Sequence, residues 1–479
     1  MIEYLIWITL GSLYGMLVGV IPIAGVTTAL ITVFGFADYF MATPYLGLVF
    51  VTSIVAACAA ADSYTSILTG IPGASTTAAC VIDGYPMSQQ GQAGRAMGIA
   101  IADSLFNGVL YGVMAFALLP IYGGMILWFG IPELMAFMIL AVACVGFVIS
   151  RSLWRSMVAI VIGLFLGLVG QDPGTGAARF TAGWDYIEAG IQLIPLISGL
   201  FGFPELIWGW RTRSRHIQLV DYWSQLGQGF RDVVHHWRDS GRGGLIGFVT
   251  GLIPGVGGAV GDFLAYGATV RAHPTEKFGN GNPRGLLGCE GANSAQKVSS
   301  MIPTVLFGVP AAPFAAIVMA LCMYFGMELG TPDLLSQPEF VWSLMAGFVG
   351  GTIIVALASI VLMRVVIWML SVPFWVYGSV IVIVILYANL QYTGTWRDIA
   401  ILMFCTALGV ACKYWDISRP AILVTFVVAE RLENYTQQTF TLYTVGDLVT
   451  RPLFIAIISV ATVLVVAWIW RGGKGIDYA

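Results

Sequence analysis

Long apolar runs dominate the chain, and Gly and Pro interrupt them more often than charge does. The runs cover 2–36, 45–61, 97–119, 132–150, 156–170 and 187–210, then 243–270, 298–325, 340–363, 365–390, 399–412, 421–428 and 452–470. A membrane-crossing helix needs about 20 apolar residues. Several runs exceed that and several fall short. Such irregularity predicts broken helices and re-entrant hairpins, which a bilayer tolerates only where the irregular backbone is buried or lines a cavity. The expected fold class is therefore an all-α polytopic membrane protein.

One interruption occurs twice. Gly15-Met16-Leu17-Val18-Gly19-Val20-Ile21-Pro22-Ile23-Ala24-Gly25 aligns with Gly247-Phe248-Val249-Thr250-Gly251-Leu252-Ile253-Pro254-Gly255-Val256-Gly257. A second pair follows downstream: Leu68-Thr69-Gly70-Ile71-Pro72-Gly73-Ala74 and Leu306-Phe307-Gly308-Val309-Pro310-Ala311-Ala312. Paired interruptions in corresponding positions of two halves point to two structural repeats with a binding site between them. The predicted division is a first membrane repeat over 1–210, a cytoplasmic basic linker over 211–242, and a second repeat with extra C-terminal helices over 243–479. The linker carries six arginines against three aspartates, which places it in the cytoplasm. The loop after the second break is basic and the loop after the first is not, a bias that suggests inverted topology.

Composition agrees. The chain is 58% hydrophobic and 10% charged, with mean hydropathy +0.86. Soluble domains carry roughly 25% charged residues, so a fully water-facing surface is excluded. A net charge of −3 gives no reason to expect nucleic acid. Seven cysteines, with no C-x-x-C pair, read as small packing residues. The start, Met1-Ile2-Glu3-Tyr4, has no basic n-region and reads as a first membrane segment, not a removed signal.

Candidate chemistry sits at the interruptions. Proline removes a backbone donor and frees a carbonyl, and glycine permits left-handed turns. Carbonyls around Pro22 and Gly25, and around Pro254, Gly255 and Gly257, are candidate ligands for a small cation, with Thr65, Asn293 and Thr304 adding side-chain oxygens. Half-helix N-termini near Ser75-Thr76 and Ala311-Ala312 are candidate donors to an anion. The candidate substrate positions are Ser63, Thr65, Gly70, Pro72, Gly73, Ser75 and Thr76 in the first hairpin, and Asn293, Ser294, Thr304, Gly308, Pro310 and Ala311 in the second. Hydroxyls there bind a carboxylate, or complete a sodium shell, without burying a charge; the plain alternative is backbone capping at bends. Ionisable residues inside apolar runs default to functional candidates, here Asp62, Asp103, Asp262, Glu290 and Arg364. No zinc-protease, serine-hydrolase or P-loop motif occurs. The chain is expected to be no enzyme and to need no cofactor beyond a coupling ion, Na+ or H+.

The motifs resemble a known family, the large membrane subunit of tripartite tricarboxylate transporters (TctA-like permeases). The resemblance rests on 251–257, Tyr266-Gly267, Phe278-Gly279-Asn280-Gly281, Glu290-Gly291-Ala292-Asn293-Ser294-Ala295, Ile302-Pro303-Thr304 and Gly308-Val309-Pro310. In the first half it rests on Gly70-Ile71-Pro72-Gly73, Asp83-Gly84-Tyr85-Pro86-Met87 and Gly91-Gln92-Ala93-Gly94-Arg95-Ala96. Ser294, Ala311 and Ile23 depart from the family pattern. The resemblance implies a secondary transporter in a bacterial inner membrane, taking up citrate or another carboxylate. It also implies two partners, a small TctB-like membrane subunit and a periplasmic TctC-like solute-binding protein.

Overall fold

The computed structural model describes residues 2–21, 25–117, 119, 124, 128–149, 152–172, 175–209, 221–254, 259–393 and 395–470. In the first half, α1 (Ile2–Gly19) and α2 (Gly25–Val33) flank the first interruption; α3 (Pro44–Thr69) and α4 (Cys80–Gln89) flank a break in helix at 70–79, here the first tip, and α5 (Ala93–Ala117) follows. There follow α6 (Ile131–Ile149), α7 (Leu153–Gly167), a two-residue β-pair at Gly170–Gln171 and Ala178–Arg179, and α8 (Leu193–Ile197). A π-turn at Ser198–Gly202 joins α8 to α9 (Phe203–Gly209).

Next among the described residues come α10 (Tyr222–His235), α11 (Trp237–Gly251), α12 (Ala259–Ala272), α13 (Pro283–Ser299), α14 (Met301–Phe307) and α15 (Pro313–Tyr324). The chain ends with α16 (Pro338–Ser371), α17 (Phe374–Thr393), α18 (Arg397–Tyr414), α19 (Arg419–Leu442) and α20 (Pro452–Trp470). Among the described residues, α1, α3, α5 and the 338–370 part of α16 are long and apolar enough to cross a membrane, with several shorter apolar helices beside them.

Proline and glycine set these boundaries. Pro44, Pro283, Pro313 and Pro338 stand in the first helical turn, where the missing N–H costs nothing. Gly70 and Gly308 terminate α3 and α14 in the left-handed conformation, with φ of 73° and 62°. That conformation penalises any residue with a Cβ.

Three expectations shift. The Ser/Thr-rich stretch 63–69 belongs to α3 and not to the hairpin loop. Thr69 donates to the Thr65 carbonyl at 2.8 Å within the helix, and Ser63 shares its hydroxyl proton between the Ala60 carbonyl at 2.7 Å and Glu290 of α13 at 2.9 Å. The basic 211–242 stretch is helical from Tyr222, and α10 packs on α5 through Gly229 and an Arg95–Asp232 ion pair of 2.6 Å. The runs 340–363 and 365–390 divide near Pro373 and not at Arg364, which lies exposed on α16.

Glycine also sets the closest helix contacts. Gly11, Gly15 and Gly19 of α1 lie on Phe50, Ile54 and Cys58 of α3. Gly243, Gly247 and Gly251 of α11 lie on Gly288, Ala292 and Gln296 of α13 in the same order. A Cβ on Gly15 would sit 2.7 Å from the Ile54 carbonyl oxygen, and one on Gly247 would sit 2.5 Å from the Ala292 Cα. The obstacle is backbone in both cases and cannot rotate away. Small residues at such faces let helices associate where no hydrophobic force drives them together.

Gly247→Val is therefore expected to destabilise the fold by about 1–3 kcal/mol or more, read as a lowered unfolding temperature in detergent. Gly227→Ala, where a Cβ meets nothing within 4 Å, is the control and is expected to leave that temperature unchanged or slightly raised. Equal behaviour of the two variants would refute the packing argument.

Candidate functional site

The centre of the molecule is a buried polar ladder on α13. Glu290, Asn293 and Lys297 recur at three- and four-residue spacing, so they share one helix face. All three are almost fully buried. Lys297 Nζ donates to Asp62 Oδ2 of α3 at 2.7 Å and to Asn293 Oδ1 at 2.8 Å. Asn293 Nδ2 donates to the Ala59 carbonyl at 2.7 Å and to Asp62 Oδ1 at 3.5 Å. The Glu290 carboxylate accepts from Ser63 at 2.9 Å, from Ser104 of α5 at 2.6 Å and from the Cys80 thiol of α4 at 3.6 Å. Ser294 joins through Ser104 at 3.1 Å. One helix of the second half is thereby bonded to three of the first.

A second clasp lies nearby. Asp83 Oδ1 accepts from the backbone N–H of Gly281 and Asn282 at 2.9 and 2.8 Å, and Oδ2 accepts from the Tyr266 hydroxyl at 2.9 Å. Two sequence motifs far apart in the chain therefore dock directly on one another.

The first tip closes on itself. The Gly73 N–H donates to Ser66 Oγ at 3.2 Å, and Ser66 and Thr77 bond through their hydroxyls at 2.7 Å. A Cβ on Gly73 would lie 2.8 Å from the Asp62 Cα, so the tip rests on α3 beside the ladder. Gly25, with φ of 57°, faces the Gly73 carbonyl across the end of the first interruption. The 75–77 turn packs on α12, the helix that leaves the second interruption. At the second tip, Thr304 donates to the Ser300 carbonyl at 2.9 Å and to the Val309 carbonyl at 3.3 Å. The helix leaving that tip, α15, packs on α2, the helix leaving the first interruption.

The candidate residues thus separate by role. Asn293, Ser63 and Ser294 lie in the ladder. Gly70, Pro72, Gly73 and Thr76 form the first tip, together with the backbone of Ser75. Thr304, Gly308, Pro310 and Ala311 form the second. Thr65 donates to the Val20 carbonyl at 2.8 Å, which ties α3 to the end of α1. Of the predicted cation ligands, Pro22, Gly255 and Gly257 lie outside the described residues, while Gly25 and Pro254 are buried beside them. The Asn293 carbonyl oxygen, predicted to face a cation, accepts from Lys297 instead.

Asp103 and Asp262 are fully buried in α5 and α12. Among the described residues, no group of three His, Cys, Asp or Glu side chains could hold a metal ion.

Sequence reading passed over three residues. Lys297 belongs to the ladder, and its spacing from Glu290 and Asn293 was the available signal. Ser104 looks like any small residue of a membrane helix. Arg431 of α19 donates to the Phe307 and Leu329 carbonyls at 3.3 Å, which caps α14 at the second tip from a distant part of the chain.

Apolar spanning helices, glycine-packed pairs and interrupted segments around a buried polar ladder define a multi-pass α-helical membrane protein. The description "Tripartite tricarboxylate transporter TctA family" matches residues 5–424. The chain belongs to that family, and is thereby a component of a tricarboxylate transporter. Two relatives from Agrobacterium vitis are similar. An "uncharacterized 52.8 kDa protein in TAR-I ttuC' 3'region" is 28% identical over 96% of this chain and 92% of its own length. An "uncharacterized protein in TAR-II ttuC' 3'region" is 25% identical over 46% of this chain and 92% of its own length. No solved structure matches.

Removing one partner of a buried ion pair costs about 3–5 kcal/mol, because the other charge is stranded. Asp62→Asn and Lys297→Met are each expected to lower thermal stability on that scale. The double variant should recover most of the loss. Simple addition of the two losses would mean that the pair does not interact.

Proposed function

We propose that this chain is the ion-gradient-driven permease subunit of its transporter. It would import a carboxylate anion, citrate-like or another organic acid, across a bacterial inner membrane. A periplasmic solute-binding protein would deliver the anion, and a small membrane subunit would complete the complex. The observation that carries the reading is the exchange of contacts at the interruptions. The first tip meets the helix leaving the second break, and the helix leaving the second tip meets the helix leaving the first break. Unwound segments with freed amides and carbonyls are the recurrent substrate and ion sites of such transporters.

The same contacts favour a two-repeat organisation, 1–210 and 243–479 joined through 211–242. The matching glycine contacts of α1 on α3 and of α11 on α13 support it further. In an inverted arrangement both tips reach the midplane from opposite sides. Half-helix amides at Thr76 and Ala311 would then face the substrate carboxylate. Binding of Na+ or H+ close to the anion would couple the two thermodynamically. A passive anion channel requires a continuous pore, and the closed tip at Gly73 argues against one.

The complex reconstituted in vesicles with its binding protein tests the reading. Carboxylate uptake should saturate and should exceed equilibrium when a sodium or proton gradient is imposed. Uptake that is indifferent to both gradients, or that never saturates, would dismiss it.

A further inference from the structure

We propose that Asp262 is the seat of the coupling monovalent cation, Na+ or H+, with the Thr76 hydroxyl completing the site. The inference rests on the ion-coupled reading above and deepens it. Asp262 lies in the first turn of α12, immediately beyond the second interruption, and is 0% exposed. Neither of its carboxylate oxygens has a hydrogen-bond partner among the described residues. The other buried carboxylates of this region differ. Asp62 is paired with Lys297, Glu290 accepts from three side chains, Asp83 accepts from three donors, and Asp103 Oδ1 accepts from Asn107 at 3.2 Å. A bare carboxylate with no donor, buried inside the protein, is costly. A bound proton or metal cation removes that cost.

Thr76 supplies the second observation. Its hydroxyl oxygen is also buried without a partner, and the 75–77 turn that carries it packs on α12. The turn that carries Thr76 thus packs on the helix that carries Asp262, so the proposed site would draw one oxygen from the first half of the chain and two from the second. Hard oxygen donors suit Na+.

Its charged neighbours are Lys297 and Glu290 of α13 and Asp62 of α3. On α11, Thr250 lies against Gly261 of α12, and the ionisable residues of α11, Arg238, Asp239 and Arg242, lie in its first two turns at the other end. Lys297 is committed to Asp62 and Asn293, so it leaves Asp262 unanswered. An ionised, empty Asp262 would repel an arriving carboxylate. A filled one would not, and that difference is the coupling.

The test needs no transport. The purified complex is melted in NaCl against choline chloride at constant ionic strength, and across pH 5.5–8.5. Wild type should be stabilised by Na+, identifying sodium, or by acid alone, identifying the proton. Asp262→Asn should lose that response, and Thr76→Val should weaken an Na+ response about fivefold or more in half-saturating concentration. On the unsubstituted complex, dicyclohexylcarbodiimide should label Asp262 in peptide maps, less so under the stabilising cation condition if that cation is Na+. An Asp262→Asn variant that keeps the wild-type response overturns the inference. So does a wild type that responds to neither ion, or an Asp262 that is never labelled in the case where the variant does not fold. A positive melt with ion-indifferent uptake would instead discard the transport reading and keep the site.

Discussion

The structure depends on one constraint: a lysine and two carboxylates are buried between packed helices, and each must be answered there. Both side chains are buried, so Lys297 is answered by Asp62 and Asn293, and Glu290 by Ser63, Ser104 and Cys80. Those demands fix the register of α13 against α3, α4 and α5. A helix that slid by one residue would turn Lys297 or Glu290 away from every partner. Apolar packing gives no such register between membrane helices, because lipid is as apolar as leucine.

The ladder works only because the surrounding helices approach closely. Glycine makes that possible on both sides, with α1 on α3 and α11 on α13. The Asp83 clasp supplies the remaining restraint. It holds the Gly281-Asn282 turn, where Gly281 has φ of 93°, and with it the start of α13, against α4. α3 and α13 are then braced at several levels, and the first tip at Gly73 is pressed against Asp62 by a brace it does not itself provide.

Much of this was legible in the sequence, for identifiable reasons. The interruptions could be read because Gly and Pro state their backbone consequence locally. Asp62, Asp262, Glu290 and Asn293 could be read because polarity inside an apolar run is conspicuous. Lys297 escaped notice because it stands in the polar run Asn293-Ser294-Ala295-Gln296-Lys297, where a charge looks unexceptional. Its burial is a property of the other half of the chain. The extent of α3 was misjudged because Ser and Thr break helices in water, whereas in a membrane their hydroxyls bond back to the carbonyls three or four residues earlier. Arg431 lay beyond reach because nothing local ties a residue of α19 to a carbonyl at the end of α14.

The location of the interruptions then has a mechanical meaning. The ladder and the Asp83 clasp join α3, α4, α5, α12 and α13, with α1 and α16 packed on α3. Outside that group, α19 packs on α6 and α7, α20 packs on α6, and α18 packs on the Ser198–Gly202 turn. The helices α2 and α15 touch both sets. α2 contacts α3 as well as α17 and the Ser198–Gly202 turn, and α15 contacts α3 as well as α8 and α19. Each is reached through a glycine with positive φ, Gly25 for α2 and Gly308 for α15. A permissive backbone position therefore stands at both places where the chain enters these two bridging helices. Relative motion of the two groups would be absorbed at those two points, beside the tips, without breaking the buried pair that fixes the rest.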